Sequence, residues 1–199
     1  MKIEQVEELL LQSLEHEQGG VKVYTAAVEC AVNPDLRKEW AKYLEETRTH
    51  VTTLEGICRA VGLDAAKETP GRAIVRHLGG ALVEAMRLAR AAGKPEAAQL
   101  VACECVVLAE TKDHLDWQLI GKCAEHLGGD KGAALQRGHD EIEDQEDEHL
   151  YHTKGWCREL WIQSLGMNAV LPPPEEVRKV KTAIGAAKAE QAAEKLRDP

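Results

Sequence analysis

The sequence predicts an all-α fold, a four-helix bundle built from two helical hairpins, joined by a long crossover that contains an extra helix and followed by a C-terminal helical tail. Three observations carry this. The 199 residues contain no Phe, three Tyr and few β-branched runs, while helix-favouring residues dominate. Breaks recur at Asn33-Pro34, Thr69-Pro70, Gly93-Lys94-Pro95, Gly128-Gly129-Asp130 and Pro172-Pro173-Pro174, several of them placing a capping residue before a proline at the first helical position. Between the breaks, apolar residues return every three or four positions.

The breaks define six helical pieces. Those at about 2 to 31, 34 to 62, 95 to 127 and 132 to 166 are about twice the usual globular length or more and are predicted to form the bundle. The segment between the second and third carries Ile74, Leu78, Leu82, Ala85 and Leu88 on one stripe, with Arg72, Arg76, Arg87 and Arg90 mostly off it, and reads as an amphipathic crossover helix. Residues 1–168 are therefore assigned to one bundle domain and 169–199 to a proline-started tail. In that tail only Val177, Val180, Ile184 and Leu196 are larger apolar residues, so it is expected to pack on the bundle, to pack on a second subunit, or to fray.

A net charge of −9 and a pI near 5.4 argue against nucleic acid and anionic membranes as partners and favour cations. No basic region followed by an apolar core opens the chain, and no run of about eighteen apolar residues occurs, so a soluble cytoplasmic protein is expected. The six cysteines form no CxxC pair, which fits buried reduced thiols rather than a zinc knuckle or a thioredoxin-type motif.

Chemistry enters where the stripes are interrupted. The first long helix runs Ile3, Val6, Leu10, Leu14, then Glu17, then Val21, Tyr24 and Val28; the second runs Leu36, Trp40, Tyr43, then Glu46 and His50, then Leu54 and Ile57. The third passes from Val107 through Glu110 and His114 to Trp117, and the last from Ile142 through Glu146 and His149 to Thr153 and Trp156. Antiparallel helices share one rise per residue, so residues equidistant from a turn face one another. A turn near Asn33 sets Glu17 against His50, and a turn near Gly129 sets Glu110 against His149.

Buried carboxylates must be neutralised, paired or bound to metal. Di-iron and di-manganese carboxylate bundles meet this with single Glu residues from two helices and Glu-x-x-His from the other two. Glu17 and Glu110 are the candidate single carboxylates, and Glu46 with His50 and Glu146 with His149 the candidate pairs. Glu143 competes with Glu146, Asp147 could replace His149, and His114 could be a ligand or could orient one.

Glu17 to Tyr24 has the Glu-x6-Tyr form of the first rubrerythrin-type helix, and Glu110 to Trp117 repeats it with Trp for Tyr. The chain thus resembles the ferritin-like superfamily. Leu44 to Leu63 and the spacing from Trp117 through Ala124 and Leu127 to Gly128 are most similar to the bacterial YciE/YciF-type stress-associated ferritin-like proteins. The likeness spans roughly residues 5 to 165 and implies a di-iron centre bridged by carboxylates, with a homodimer or higher oligomer. Glu46 and His50 depart from it, standing four apart where the superfamily prefers three.

Carboxylate and imidazole suit two iron ions, with manganese as the alternative, about 4 Å apart and reactive towards O2 or H2O2. A ferroxidase- or peroxidase-type oxidoreductase in stress protection is the expectation, with Tyr24 and Tyr43 near enough to tune the centre or to serve as plain core. Two alternatives stand beside it: a metal-free bundle acting in protein interaction or self-association, and manganese catalase-like activity.

Overall fold

The computed structural model describes residues 1–197, which form seven helices: α1 (Ile3–Cys30), α2 (Pro34–Val61), α3 (Pro70–Ala91), α4 (Pro95–Leu127), α5 (Gly129–Ser164), α6 (Pro174–Val177) and α7 (Ala183–Arg197). No strand occurs among the described residues, and no helix among them is long and apolar enough to cross a membrane.

The helix starts follow from local chemistry. Asn33 Oδ1 accepts from the backbone N–H groups of Asp35 and Leu36 at 2.9 and 3.2 Å, ahead of Pro34, and Thr69 Oγ1 accepts from Arg72 N at 3.1 Å, ahead of Pro70. α2 ends at Gly62, whose φ of +79° is the left-handed conformation that closes a helix, with Leu63 N donating to Cys58 O at 2.9 Å. α5 begins at Gly129, three residues before the expected start.

α1 and α2 form one antiparallel hairpin and α4 and α5 the other, while α1 packs on α4 and α2 on α5. Gln99 at the start of α4 accepts from the N–H groups of Val32 and Asn33 at 2.7 and 2.6 Å, which ties the second hairpin to the tip of the first. The chain returns along α3, which lies parallel to α1 because Arg72 meets Glu15 near one end and Arg90 meets Glu29 near the other.

α3 is rotated relative to the expectation. Ile74, Leu78 and Leu88 are 61, 54 and 55 % exposed, and the residues turned inward are Arg72, Val75 and Met86, with Leu82 half-buried. Two contacts account for the rotation. Glu15 of α1 is buried and receives Arg72 Nε at 3.1 Å and Arg76 Nε at 2.7 Å, which spares it an unpaired buried charge. Gly79 also faces Gly19 closely enough that an added Cβ would lie 3.7 Å from the Gly19 Cα. Hydrogen bonds from Arg76 outweigh burial and, with those from Arg72, hold the Glu15 carboxyl below its ordinary value. The stability from this pairing is therefore complete above about pH 5 and is lost as pH falls through the lowered folded-state value. Arg72→Ala is expected to cost about 2 kcal/mol in denaturant unfolding at pH 7, the order for hydrogen bonds to a charged group, since Arg76 keeps Glu15 paired.

The tail packs on α5 as two helices rather than one. Val180, Ala189 and Ala193 are its buried apolar residues, Glu175 pairs with Arg158, and Val177, Ile184 and Leu196 stay exposed. Glu159, fully buried on α5, binds Arg158 and Arg197 and accepts from Val170 N at 2.9 Å.

Two apolar clusters divide the bundle along its length. One gathers Tyr24, Leu36, Trp40, Tyr43, Val106 and Trp156; the other gathers Leu10, Leu14, Leu54, Trp117, Ile120 and Ile142. Between them lies the polar layer.

Candidate metal centre

Glu17, His50, Glu110, Glu146 and His149 are each at most 2 % exposed and converge from all four bundle helices. The expected facing pairs are adjacent: His50 Nδ1 lies 3.3 Å from Glu17 Oε1, and His149 Nδ1 lies 3.6 Å from Glu110 Oε2. Glu146 Oε1 sits between the two imidazoles, 2.9 Å from His50 Nδ1 and 3.6 Å from His149 Nδ1. The result is two groups of potential ligand atoms, Glu17 with His50 and Glu146, and Glu110 with Glu146 and His149, each group lying within 4.8 Å. They share Glu146.

Both imidazoles are aimed. His50 Nε2 is held by Gln145 Oε1 at 3.0 Å and His149 Nε2 by Glu46 Oε2 at 3.0 Å, so each ring presents Nδ1 to the centre. An outward Nε2–H donor fixes the tautomer that leaves Nδ1 free to bind a cation. Trp117 Nε1–H donates at 2.8 Å to Glu17 Oε1, the oxygen that also faces His50 Nδ1.

Glu146 Oε1 has only the His50 imidazole, 2.9 Å away, and Glu110 Oε2 only that of His149, 3.6 Å away, while Glu17 Oε2 and Glu146 Oε2 are buried with no hydrogen-bond partner among the described residues. So is Oδ1 of Asp113, a residue absent from the expected set. Asp113 lies one turn after Glu110, and burial together with the charges of Glu146, Glu17 and Glu110 pushes its carboxyl well above the usual range. Burial and the charge of Glu110 raise Glu146 to about 7. Burial opposes charge on His149, but contacts with Glu110 and Glu46 outweigh it and raise the imidazole to about 9. For His50 the charges of Glu17 and Glu146 likewise outweigh burial.

Four expected candidates stand elsewhere. Glu46 is outside both groups, at the rim beside Lys42, because the inward position one turn before His50 belongs to the buried Thr47. It orients His149 instead. Burial works against its charge, yet the hydrogen bond from His149 prevails and keeps its carboxyl below the ordinary value. Glu143 is on the surface, 3.6 Å from His139 Nε2, and does not compete with Glu146. His114 turns outward to Asp147, Nδ1 to Oδ1 3.2 Å, so neither residue reaches the layer; Asp113 holds the inward position that His114 was expected to fill.

The tyrosines line one side. The Tyr43 and His149 ring centroids are 4.0 Å apart, and those of Tyr24 and His149 5.8 Å. Tyr43 OH meets Glu39 and, at 3.0 Å, Nδ1 of the buried His152, a cluster the sequence stripes did not suggest. Burial pushes both phenols well above their usual value.

Glu46→Ala and Gln145→Ala should each weaken metal affinity about 10- to 100-fold while leaving the saturating stoichiometry unchanged, since they remove an orienting acceptor and no ligand. Titration calorimetry reads both quantities. Loss of one ion per chain in Glu46→Ala would return that residue to the ligand set.

Compared with protein-family profiles, curated proteins and solved structures, the chain finds no match in any of the three.

Proposed function

We propose that this is a ferritin-like di-metal carboxylate protein whose buried layer holds two iron ions, with manganese as the alternative, and which reacts with O2 or H2O2 in a ferroxidase- or peroxidase-type role. The observation that carries this is the pair of ligand groups sharing Glu146, in which Glu17 Oε2 and Glu146 Oε2 are buried without partners among the described residues. Charge supports the same conclusion. Two divalent cations would take the place of the protons that the raised Asp113 and Glu146 carboxyls and the raised His50 and His149 imidazoles favour in the metal-free layer. The connectivity of two antiparallel hairpins with one helical crossover agrees with the ferritin-like type.

Glu17 with His50 would hold one ion, Glu110 with His149 the other, and Glu146 would contact both. Iron bound there supplies the electrons that reduce the oxidant. Trp117 restrains Glu17, Gln145 and Glu46 keep the imidazoles directed inward, and the apolar clusters on either side limit water. The layer departs from the ferritin-like pattern on α2, where the Glu-x-x-His spacing back from His50 falls on Thr47. One shared carboxylate and the added Asp113 stand in place of two symmetric pairs.

The test is anaerobic loading with Fe(II), metal analysis, and exposure to O2 or H2O2. Two ions per chain and a near-ultraviolet Fe(III) band are expected. Absence of both would leave a metal-free bundle with a proton-balanced layer, and sustained O2 release from peroxide by the manganese-loaded protein would favour catalase-like chemistry.

A further inference from the structure

The five converging residues of the layer are each at most 2 % exposed, so a cation must reach them by passing between helices. On three of the four long sides of the bundle no exposed charged group holds a layer residue, among the described residues. α3 covers the side between α1 and α4. Between α1 and α2, Gly20 lies so close to Thr47 that an added Cβ would be 3.2 Å from Thr47 Cγ2. Between α4 and α5, His114 and Asp147 pair with each other at 3.2 Å.

The side between α2 and α5 differs, because both inward imidazoles are held from it. His149 Nε2 meets Glu46 Oε2 and His50 Nε2 meets Gln145 Oε1, each at 3.0 Å, and Glu46 and Gln145 are only half-buried. Outside Glu46 runs a line of carboxylates spaced by ammonium groups. Lys42 Nζ lies 3.6 Å from Glu46 Oε1 and 3.3 Å from Glu148 Oε2; Lys181 Nζ lies 3.4 Å from Glu148 Oε1 and 2.9 Å from Asp144 Oδ2. Each ammonium stands where a cation shared by the same two carboxylates would stand. Lys181 comes from the tail, on the short link between α6 and α7, which the Glu175–Arg158 pair and the Trp156–Glu176 hydrogen bond moor to α5.

We propose that this line is the entrance through which divalent cations pass from solvent to the layer, and that Lys181 makes the tail its cover. The inference rests on the di-metal reading of the layer. Three carboxylates face two ammonium groups, so the covered rim carries one net negative charge; withdrawing Lys181 leaves two and vacates the outermost position. A divalent ion has twice the attraction of an ammonium for the same carboxylates at the same distance, which favours its displacing Lys42, whose side chain is 48 % exposed. Glu46 is the last step, because one of its oxygens meets Lys42 at the rim and the other meets the buried His149.

Stopped-flow mixing of the full chain with Co(II) tests this, read by tryptophan fluorescence, since Trp117 is bonded to Glu17 in the layer. Lys181→Ala is expected to speed quenching about 3- to 10-fold at low salt and Glu148→Gln to slow it by a similar factor, with two ions per chain bound at saturation in both. Lys181→Arg keeps the charge and should keep the unmodified rate. The acceleration in Lys181→Ala should shrink as ionic strength rises to about 0.5 M, where exposed charges are screened within a few ångströms. Two bound ions whose arrival is indifferent to Lys181→Ala and Glu148→Gln would overturn the entrance and leave the layer intact. A rate lowered by Asp147→Asn but not by Glu148→Gln would overturn it in favour of the side between α4 and α5. Failure to bind Co(II) at all would overturn the layer and the entrance together.

Discussion

Glu146→Ala is expected to abolish loading at both metal positions, taking the stoichiometry from two ions per chain to none at micromolar metal, whereas Glu17→Ala or Glu110→Ala should each remove one. The asymmetry follows from the arrangement of the layer. Glu146 Oε1 is within 3.6 Å of both inward nitrogens, and its second oxygen is also buried without a partner among the described residues. Glu17 and Glu110 each belong to a single group. Metal analysis after anaerobic Fe(II) loading distinguishes these outcomes, and one ion retained in Glu146→Ala would show that the two positions do not depend on a common carboxylate. Because the substitution also removes the Glu146 contact with His50 Nδ1 at 2.9 Å, helical circular dichroism is read alongside, and Glu146→Gln, which keeps the side-chain volume, should lose the metal in the same way.

The second large effect is on thermal stability. Binding to the folded chain alone stabilises it by about 4 kcal/mol at a free metal concentration a thousandfold above Kd. For a chain of this length each kcal/mol moves Tm by about 2–4 °C, so anaerobic Fe(II) or Mn(II) should raise Tm by about 10 °C. Magnesium should do much less, because it favours all-oxygen octahedral shells and each group here offers an imidazole nitrogen. The shift should shrink as pH falls from about 8 to 6, because metal must displace the protons that Glu146, raised to about 7, and His149, raised to about 9, bind increasingly in the metal-free protein. Differential scanning calorimetry across that range checks the sign. A shift that grew on acidification would contradict these ligands.

How much of this the sequence contains is clearest from individual residues. The positions of the helix ends are local matters: Asn33 before Pro34 and Thr69 before Pro70 cap helices with their own side chains, and Gly62 ends one by its backbone conformation. Facing pairs are nearly as local. Once a hairpin turns at Asn33, equal rise along both arms brings Glu17 level with His50 whatever the rest of the chain does.

What the tertiary structure alone decided is helix rotation. Successive residues are about 100° apart, so the third and fourth positions along flank a stripe almost equally, and small turns of the whole helix choose between them. On α2 that choice put Thr47 inward and Glu46 at the rim; on α4 it put Asp113 inward and His114 outside. α3 shows the same ambiguity at full scale. It has two apolar stripes, and a partner for buried Glu15 together with the Gly19–Gly79 approach, rather than hydrophobicity, determined which one faces the bundle. The sequence by itself determined where the helices lie and which levels meet. Packing determined which atoms at each level face the centre, since rotation is settled by contacts from other helices that no single stripe records.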